Sequence, residues 1–176
     1  MSHFDGWINV YKPINISSFE VIRKIKKKFK TLKMGHAGTL DPSAEGVLPI
    51  AIGKTTKLIS LISDKIKNYE FEIKWGEQTT TDDKEGEIIE VSKNIPSKEI
   101  IEEYLINFIG NILQKPPMVS AVKINGKRAY QRFRDNEIFE TKERVVRIYN
   151  LKLIDHSQDI ISKISIECGK GFYVRS

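Results

Sequence analysis

Residues 67–75 constrain the fold of this 176-residue chain more than any other segment, because their side chains alternate strictly between polar and apolar from Asn68 to Trp75. The two sets are Tyr69, Phe71, Ile73 and Trp75 on one side and Asn68, Glu70, Glu72 and Lys74 on the other. Successive side chains of a β-strand point to opposite faces, so this pattern predicts a strand with one buried and one solvated face. It is the clearest strand of the sequence.

Further strands are predicted on both sides of this one. The run Trp7–Tyr11 is a short strand that stops before Pro13, since proline cannot donate to a sheet ladder. Residues 86–91 are a plausible pairing partner for the alternating strand, and two more strands are expected at 144–153 and 160–167. Strands that follow one another without regular crossover helices favour an α+β fold with a mixed, largely antiparallel sheet flanked by helices.

Two helices are predicted from their start signals and apolar spacing. Ser17, with Glu20 three residues later, forms a capping-box pattern at the start of the first helix. Its apolar positions share one face: Ile22, Ile25, Phe29 and Leu32. The second helix is expected between Pro96-Ser97 and Gly110. Its inward positions are predicted to be Ile100, Ile101, Tyr104, Leu105 and Phe108.

Composition places the chain among soluble globular proteins, with 40% hydrophobic and 30% charged residues. The apolar run Val47–Ile52 contains Pro49 and is far shorter than the roughly 20 residues of a membrane helix. A single cysteine, Cys168, excludes an intrachain disulfide, and the three histidines are too scattered to suggest a metal site. We therefore expect a cytoplasmic protein without membrane contact. No repeat or linker interrupts residues 1–176, which predicts one domain.

The charge is basic overall, with 29 Lys and Arg against 23 Asp and Glu. Seven of the eleven residues from Arg23 to Lys33 are Lys or Arg, and they fall opposite the apolar face of the first helix. Such a run is more often a solvated helix face than a binding surface, and both interpretations stay open. A basic face of this kind is available to phosphates as well as to water.

One short motif resembles part of a nucleotide-binding loop but lacks the residue spacing that such a loop requires. Gly53-Lys54-Thr55 looks like the end of a phosphate-binding loop, which needs a glycine five residues before Gly53. Position 48 is Leu48, and the nearest earlier glycine is Gly46. Without the glycine-rich backbone there is no cradle for a nucleoside triphosphate.

The segment Gly35–Lys57, which reads GHAGTLDPSAEGVLPIAIGKTTK, resembles the active-site motif of the TruB family of pseudouridine synthases. Further blocks in family order are Lys12-Pro13 with Ser17-Ser18; Lys67-Asn68-Tyr69 with Gly76, Thr79, Thr81, Asp83 and Gly86; Gln114, Pro116-Pro117, Ser120-Ala121, Lys123, Gly126 and Tyr130; and Arg144–Ile148 with Gly171–Ser176. The block from Gln114 to Tyr130 resembles the RNA-gripping thumb of the family, and we call residues 114–130 the thumb segment.

The resemblance implies the pseudouridine synthase catalytic fold. It also implies conversion of the uridine at position 55, in the TΨC arm of tRNA, to pseudouridine.

The resemblance assigns Asp41 as the catalytic carboxylate and Arg175 as its charge partner. An Asp-Pro step is by itself typical of a turn or a helix cap, and the surrounding motif is what favours catalysis. Pseudouridine formation breaks a glycosidic N–C bond, turns the base over and joins the ribose to a base carbon, without redox chemistry or a metal. A carboxylate serves as nucleophile or electrostatic partner only when it is ionised, and a neighbouring arginine favours that form. No cofactor is therefore expected.

Other residues match the family's substrate contacts. Tyr69 and Tyr173 match tyrosines that contact the flipped uracil, and the resemblance also raises a role for Tyr69 in proton transfer. An aromatic face stacked on a base contributes roughly 1–3 kcal/mol, which helps offset extruding the base. His36 matches a histidine that touches the RNA around the flipped nucleotide. Candidates for phosphate contacts, which supply affinity more than sequence readout, are Lys12, Lys123, Lys127, Arg128, Arg132 and Arg134.

The chain also departs from the family pattern. Five residues around the site differ from the commonest family choices without removing a proposed chemical group: Tyr11, Asn15, Ala37, Ser43 and Glu45. Family members continue past the Tyr173–Ser176 run with more of the catalytic domain and commonly with a small RNA-binding domain. We therefore expect residues 1–176 to be a catalytic domain that is incomplete at its C-terminal end, with weak or no activity unsurprising.

Three hypotheses follow from the sequence. The first is a monomeric tRNA pseudouridine synthase that acts on the TΨC arm without cofactor, metal or obligatory protein partner. The second is a tRNA-binding or folding helper that does not turn over in this form. The third is a related synthase aimed by a guide RNA and accessory proteins, which the bacterial-looking form of the Gly35–Lys57 block disfavours. Turnover on bare tRNA discriminates among the three.

Overall fold

The computed structural model describes residues 4–29, 33–157 and 160–176 of the chain. These residues belong to two compact units, unit 1 (Met1–Lys65) and unit 2 (Ile66–Ser176). Each unit is built around its own antiparallel sheet. That the two units form a single catalytic domain stays a prediction.

Unit 1 contains a three-stranded sheet in the order β1-β3-β2. The strands are β1 (Gly6–Lys12), β2 (Met34–His36) and β3 (Gly46–Ile52), and both neighbours pair antiparallel with β3. The predicted strand at Trp7–Tyr11 is confirmed, and it ends before Pro13 as expected. Leu48, Ile50 and Ile52 of β3 point into the core of the unit and are at most 4% exposed.

The first predicted helix is present as α1 (Ser18–Lys28). Ser17 caps it by accepting a hydrogen bond from the Glu20 backbone N–H, so the predicted start is confirmed. Val21 and Ile22 pack into the core of the unit with β3. The prediction that Phe29 shares this buried face is wrong, since the helix ends at Lys28 and Phe29 is 55% exposed. Leu32 lies outside the described residues.

Two short helices follow β3, namely the 3₁₀ turn Gly53–Leu58 and α2 (Ile59–Ser63). The Asp5 carboxylate accepts a hydrogen bond of 2.6 Å from the Lys54 backbone N–H. A Cβ at Gly53, whose φ is +64°, would lie 2.0 Å from the same carboxylate oxygen. Gly53 therefore lets Asp5 approach the chain at this turn, which agrees with rejecting a phosphate-binding loop here.

Unit 2 contains a four-stranded sheet in the order β4-β11-β10-β7. Its strands are β4 (Lys67–Lys74), β7 (Gly110–Gln114), β10 (Arg144–Ser157) and β11 (Ile161–Cys168). All of its neighbours pair antiparallel, as do those of unit 1, which confirms the predicted α+β class with a largely antiparallel sheet. The alternation along β4 is also confirmed, since every second side chain is half-buried and the others are exposed.

The predicted partner of β4 is wrong. Residues Ile88–Val91 form β6, which pairs with β5 (Glu77–Thr79) in a separate two-stranded sheet. The neighbour of β4 is instead β11, where Ile164 and Ile166 stand opposite Phe71 and Tyr69. This pairing continues the apolar face of β4, whereas all four residues of β6 are exposed.

The second predicted helix is α3 (Lys98–Leu105), capped by Ser97 and followed by the 3₁₀ turn Ile106–Phe108. Its start and its end before Gly110 are confirmed. Only Ile101, at 4% exposed, is buried as predicted. Ile100, Tyr104 and Phe108 are 48%, 62% and 48% exposed, so the assignment of these three side chains to the core is wrong.

The thumb segment contains a two-stranded hairpin of β8 (Lys123–Ile124) and β9 (Lys127–Arg128), followed by α4 (Ala129–Arg134). Asn125 and Gly126 connect the strands with φ values of +49° and +82°. Two positive φ angles in succession are typical of the tight hairpin turn that Asn-Gly favours. The hairpin therefore presents Lys123 at its start and the basic end of α4 beyond it.

Candidate active site

Asp41 lies in the loop between β2 and β3 of unit 1, and its side chain is half-buried. The loop turns sharply here, because the Asp41 carbonyl oxygen accepts a hydrogen bond of 3.1 Å from the Ala44 N–H. The next carbonyl, that of Pro42, accepts one of 2.8 Å from the Asn15 N–H. The Asp-Pro step is thus a turn, as its local sequence predicts, and it is anchored to the segment between β1 and α1.

The residue before Asp41 is held by α1. The Ser18 hydroxyl accepts a hydrogen bond from the Leu40 N–H and donates one to the Leu40 carbonyl oxygen, both of 2.9 Å. Ser18 is 2% exposed, so water does not compete for these bonds. A hydroxyl has one hydrogen to donate and lone pairs to accept with, so it can satisfy both backbone groups. The first turn of α1 therefore fixes the backbone next to Asp41.

Lys12 holds the same loop from the other side through its ammonium group. Its side chain is fully buried, and its ammonium donates to the carbonyl oxygens of Pro13, Ile16 and Pro42 at 2.9, 2.8 and 3.4 Å. Burial lowers the pKa of Lys12, while the Asp41 and Glu45 carboxylates oppose that shift. An ammonium occupied in this way is a structural tie beside Asp41, and the predicted phosphate contact of Lys12 stays a prediction that these three carbonyl oxygens oppose.

His36 lies at the end of β2, opposite Ile50 of β3, and is half-buried. Its Nδ1 is in hydrogen-bonding contact with the Gly38 carbonyl oxygen. The Ala37 N–H donates to the Pro49 carbonyl oxygen at 2.9 Å, which keeps the start of the loop against the sheet. The structure thus brings His36, Asp41 and Lys12 into one loop region of unit 1, and the RNA contact of His36 stays a prediction.

Arg175 lies in unit 2, where its guanidinium has several partners. It donates to the carbonyl oxygens of Thr81 and Val119 at 3.3 and 3.0 Å, and it pairs with the Asp83 carboxylate at 3.4 Å. The side chains of Arg175 and Asp83 are only 12% and 18% exposed. Asp83 also accepts from the Thr81 hydroxyl and the Glu85 N–H. Sequence reasoning assigned no role to Asp83, although the residue stands in one of the matching blocks; the pairing of Arg175 with Asp41 stays a prediction.

Tyr173 is positioned by two residues that sequence reasoning left without a role. The guanidinium carbon of Arg144 lies 4.9 Å from the centre of the Tyr173 ring, which is the distance of a cation–π contact. The buried Gln114 amide accepts from the Tyr173 N–H and donates to its carbonyl oxygen, at 2.9 and 2.8 Å. Arg144 also donates to the Gly171 carbonyl oxygen. Gln114 at the end of β7 therefore holds the Tyr173 backbone, and Arg144 at the start of β10 contacts its ring.

Tyr69 lies on β4 opposite Ile166 and packs partly buried against an apolar cluster. The cluster is built on Ile148, Ile166 and Cys168, and Phe172, the neighbour of Tyr173, packs against it as well. Tyr69 and the segment that carries Tyr173 therefore meet on the same side of the sheet. Burial in a core is what an alternating strand predicts for Tyr69, and its contact with uracil stays a prediction.

A cavity of about 590 Å³ opens in unit 2, and neither Tyr69 nor Tyr173 is among its lining residues. Its walls are largely apolar, and Asp82 and Arg175 supply charged groups among them. Phe71 and Phe172 line it together with Ile166. An apolar pocket with a few charged groups is the usual form of a binding site for an organic ring.

The basic residues of the thumb segment and α4 differ in their surroundings. Lys127 and Arg132 both pair with the Glu137 carboxylate, and Lys127 also pairs with Asp135 at 2.7 Å. These hydrogen bonds raise the pKa of Lys127, and they lower the pKa of Asp135 and of Glu137. Lys123 is exposed. Phosphate contacts at Lys123 and Arg132 stay predictions, and that of Arg132 competes with Glu137.

Within residues 4–29, 33–157 and 160–176, no cluster of three or more His, Cys, Asp or Glu side chains could hold a metal ion. No helix in this part of the chain has the length and apolar character needed to cross a membrane.

The fold is shared with chains from complexes of known structure. A chain of a Cbf5-Nop10-Gar1 complex superposes with a TM-score of 0.69 at 27% identity, covering 99% of this chain and 42% of that one. An H/ACA RNP bound to a substrate RNA containing 2′-deoxyuridine gives a TM-score of 0.66 at 24% identity, covering 99% and 40%. The predicted pseudouridine synthase fold is thereby confirmed.

Sequence comparison identifies the family directly. Residues 26–174 match the TruB family pseudouridylate synthase (N terminal domain), and the chain belongs to this family. The tRNA pseudouridine synthase B of Agrobacterium fabrum is 46% identical over 171 residues, which cover 97% of this chain and 54% of the relative. That of Ehrlichia ruminantium is 46% identical over 172 residues, covering 97% and 58%. The chain thus spans little more than half the length of these relatives.

Proposed function

We propose that this chain is the catalytic part of a tRNA pseudouridine synthase that isomerises the uridine at position 55 of the TΨC arm. Family membership and 46% identity to proteins named tRNA pseudouridine synthase B support this substrate. The reaction is an isomerisation, in which the N1–C1′ glycosidic bond breaks and a C5–C1′ bond forms. The C5 proton leaves, and N1 of the turned base takes up a proton.

The observation that carries this proposal is the way in which the Asp41 loop is fixed. Ser18 holds Leu40 on one side of Asp41, Lys12 holds Pro42 on the other, and both tying side chains are buried. A catalytic group has to be held within a fraction of an ångström of its productive position by a rigid surround. Asp41 stays half-buried between two such ties, which suits a carboxylate that acts on a bound nucleotide.

The residues of unit 2 are assigned two roles, contact with the flipped base and charge pairing with Asp41. Arg175 is the proposed charge partner of Asp41, and Asp83 is the residue that orients its guanidinium. Tyr69 and Tyr173 are the proposed contacts of the flipped uracil, where an aromatic face replaces the stacking that the base loses. His36 and Lys123 are proposed to contact the surrounding RNA.

We further propose that the protein acts on bare tRNA as a monomer without an obligatory protein partner. The chain is nearer in sequence to proteins named tRNA pseudouridine synthase B, at 46% identity, than to the chain matched in the Cbf5-Nop10-Gar1 complex, at 27%. This difference favours an enzyme that reads tRNA itself. Recognition would then depend on the folded shape of the RNA arm.

A second candidate is tRNA binding without turnover. It is favoured by exposed cations that lie away from Asp41 in sequence, such as Lys123 in the thumb segment and Lys27 on α1. Exposed cations supply sequence-independent affinity for a phosphate backbone, whether or not chemistry follows.

The two candidates separate in one experiment. Unmodified tRNA is incubated with the full-length natural protein that contains this chain, and pseudouridine is mapped chemically along the RNA. We expect pseudouridine at position 55 and at no other uridine, without added protein or guide RNA. Binding of the tRNA with no pseudouridine at saturating protein would favour the binding candidate instead.

A further inference from the structure

Helix α1 carries a concentrated positive charge on the side that faces solvent. Its exposed cations form what we call the basic face of α1: Arg23, Lys24, Lys26, Lys27 and Lys28. We infer that this face is a second RNA-binding surface, which grips phosphates of the substrate a short distance from the nucleotide that reacts. The inference rests on the proposed function only in taking RNA as the substrate.

The arrangement of the helix makes these cations available. Ser18, Val21 and Ile22 are buried against the sheet of unit 1, so the helix cannot rotate the basic face away from solvent. Arg23 and Lys27 are four residues apart and therefore lie next to each other on its outer surface. Arg23 pairs with Glu20 at 3.3 Å, on the surface, where an ion pair contributes little and yields readily to another anion.

The helix also starts at the candidate active site. Ser18, its first residue, is hydrogen-bonded to Leu40, which precedes Asp41. A rise of about 1.5 Å per residue places Arg23 about 7 Å and Lys28 about 15 Å further along the axis from Ser18. A nucleotide chain that delivers a base to Asp41 carries its neighbouring phosphates within this range. The basic face is thus placed to bind the strand that flanks the target.

RNA fits this surface better than a membrane does. A helix that lies on a lipid surface buries its apolar face among acyl chains. The apolar face of α1 is already occupied by the protein core through Val21 and Ile22. What remains exposed is the row of cations and the Phe19 ring, which is 70% exposed in the first turn. Cations beside an aromatic ring suit a phosphate backbone with an unpaired base.

The test compares two double variants with the same change in charge. R23Q/K27Q removes two cations from the basic face, and the control K84Q/K93Q removes two exposed lysines from unit 2. Glutamine keeps the helix propensity of lysine and arginine, so R23Q/K27Q should melt like the wild type. The control changes two exposed side chains outside the helices and should do the same. A second basic-face variant, K26Q/K28Q, guards against an effect peculiar to one pair. The affinity of each protein for unmodified tRNA is measured by fluorescence anisotropy over a series of salt concentrations.

We expect R23Q/K27Q and K26Q/K28Q to lower the slope of log K against log salt by about 1.4–1.8, at about 0.7–0.9 per lost phosphate contact. Their affinity at low salt should fall by about tenfold or more, whereas the slope of K84Q/K93Q stays at the wild-type value. Unchanged slopes in both basic-face variants would overturn the inference. So would an unchanged RNA slope together with loss of binding to vesicles containing phosphatidylserine, which would identify a membrane surface.

The readout also separates this inference from the proposed function. Binding and its salt slope do not require turnover. A full-length natural protein that binds tRNA with the expected slope but forms no pseudouridine would refute the isomerase and leave the basic face intact. A protein that forms pseudouridine, but whose basic-face variants keep the wild-type slope, would support the isomerase and refute the inference about the basic face.

Discussion

The Ser18 hydroxyl makes two hydrogen bonds of 2.9 Å to the backbone of Leu40, one accepted from the N–H and one donated to the carbonyl oxygen. Helix α1 and the Asp41 loop are joined at this point by a single buried side chain. The first residue of a helix is well suited to this task, because its backbone is held by the helix that follows. The position of Asp41 therefore depends on a serine that takes no part in the chemistry.

Ser18→Ala should lower the free energy of unfolding by about 1–3 kcal/mol, since it leaves two buried backbone groups of Leu40 without their partner. It should also reduce turnover more than tRNA affinity. The matched control is Ser17→Ala, which removes the helix cap, at a cost of about 1 kcal/mol, without touching Leu40. Urea unfolding and single-turnover kinetics measure both effects. Equal losses of turnover in the two variants would contradict a specific role for Ser18.

Lys12 and Lys123 should behave differently when their charge is removed. Lys12→Met should destabilise the protein by about 1–3 kcal/mol, because the carbonyl oxygens of Pro13, Ile16 and Pro42 lose a buried donor. Lys123→Gln should leave stability unchanged and lower the salt slope of tRNA binding by about 1. Thermal unfolding and binding titrations test the pair. A lower salt slope of tRNA binding without a loss of stability in Lys12→Met would support the predicted phosphate contact of Lys12.

Asp83→Asn should impair turnover by releasing the Arg175 guanidinium from its carboxylate partner at 3.4 Å. Loss of one partner of a largely buried pair costs about 1–3 kcal/mol, or roughly ten- to hundredfold in rate if the reaction needs that position. Glu90→Gln, at an exposed carboxylate of β6, is the control. The rate constant at saturating tRNA is the measurement. Wild-type rates in Asp83→Asn would show that Arg175 does not need this ion pair.

Cys168 should make stability fall at alkaline pH. Burial raises the pKa of its thiol from 9.0 to about 11. A raised pKa means that the folded protein favours the protonated thiol, so the contribution of Cys168 is complete below about pH 9 and is lost as the pH rises through about 11. Urea unfolding of the wild type and of Cys168→Ala at pH 8 and pH 10.5 isolates this contribution from that of other groups. The wild type should lose about 2 kcal/mol more than the variant. Equal losses of unfolding free energy in the two proteins would refute the raised pKa of Cys168.

Local patterns predicted the local structure well. The alternation of β4 and the Ser17 cap of α1 depend on neighbouring residues, and both are present. The pairing of β4 with β11 depends on which distant apolar strand completes its buried face, which a single sequence does not encode locally. The exposure of Phe29 and Tyr104 has the same origin, because apolar spacing says nothing about how far the covering layer extends.

The candidate site was predicted by the family motif more than by physical reasoning on single residues. Asp41, His36 and Tyr173 were assigned in this way, and their roles stay predictions. The burial of Lys12 was not predicted, because a lysine is almost never fully buried and solvent exposure is the natural expectation. The roles of Asp83, Gln114 and Arg144 arise from contacts with Arg175 and Tyr173 at the other end of the chain, and no local signal marks them.

The most direct test of the account is the chemistry of Asp41. Asp41→Asn keeps the size and shape of the side chain and removes its charge, so the loop tied by Ser18 and Lys12 should keep its structure. The measurement is the amount of pseudouridine formed at position 55 of bound tRNA under single-turnover conditions, together with the Kd. We predict that Asp41→Asn binds tRNA within about threefold of the wild type, well under 1 kcal/mol, and forms no detectable pseudouridine. Product at the wild-type rate from Asp41→Asn would contradict the central claim.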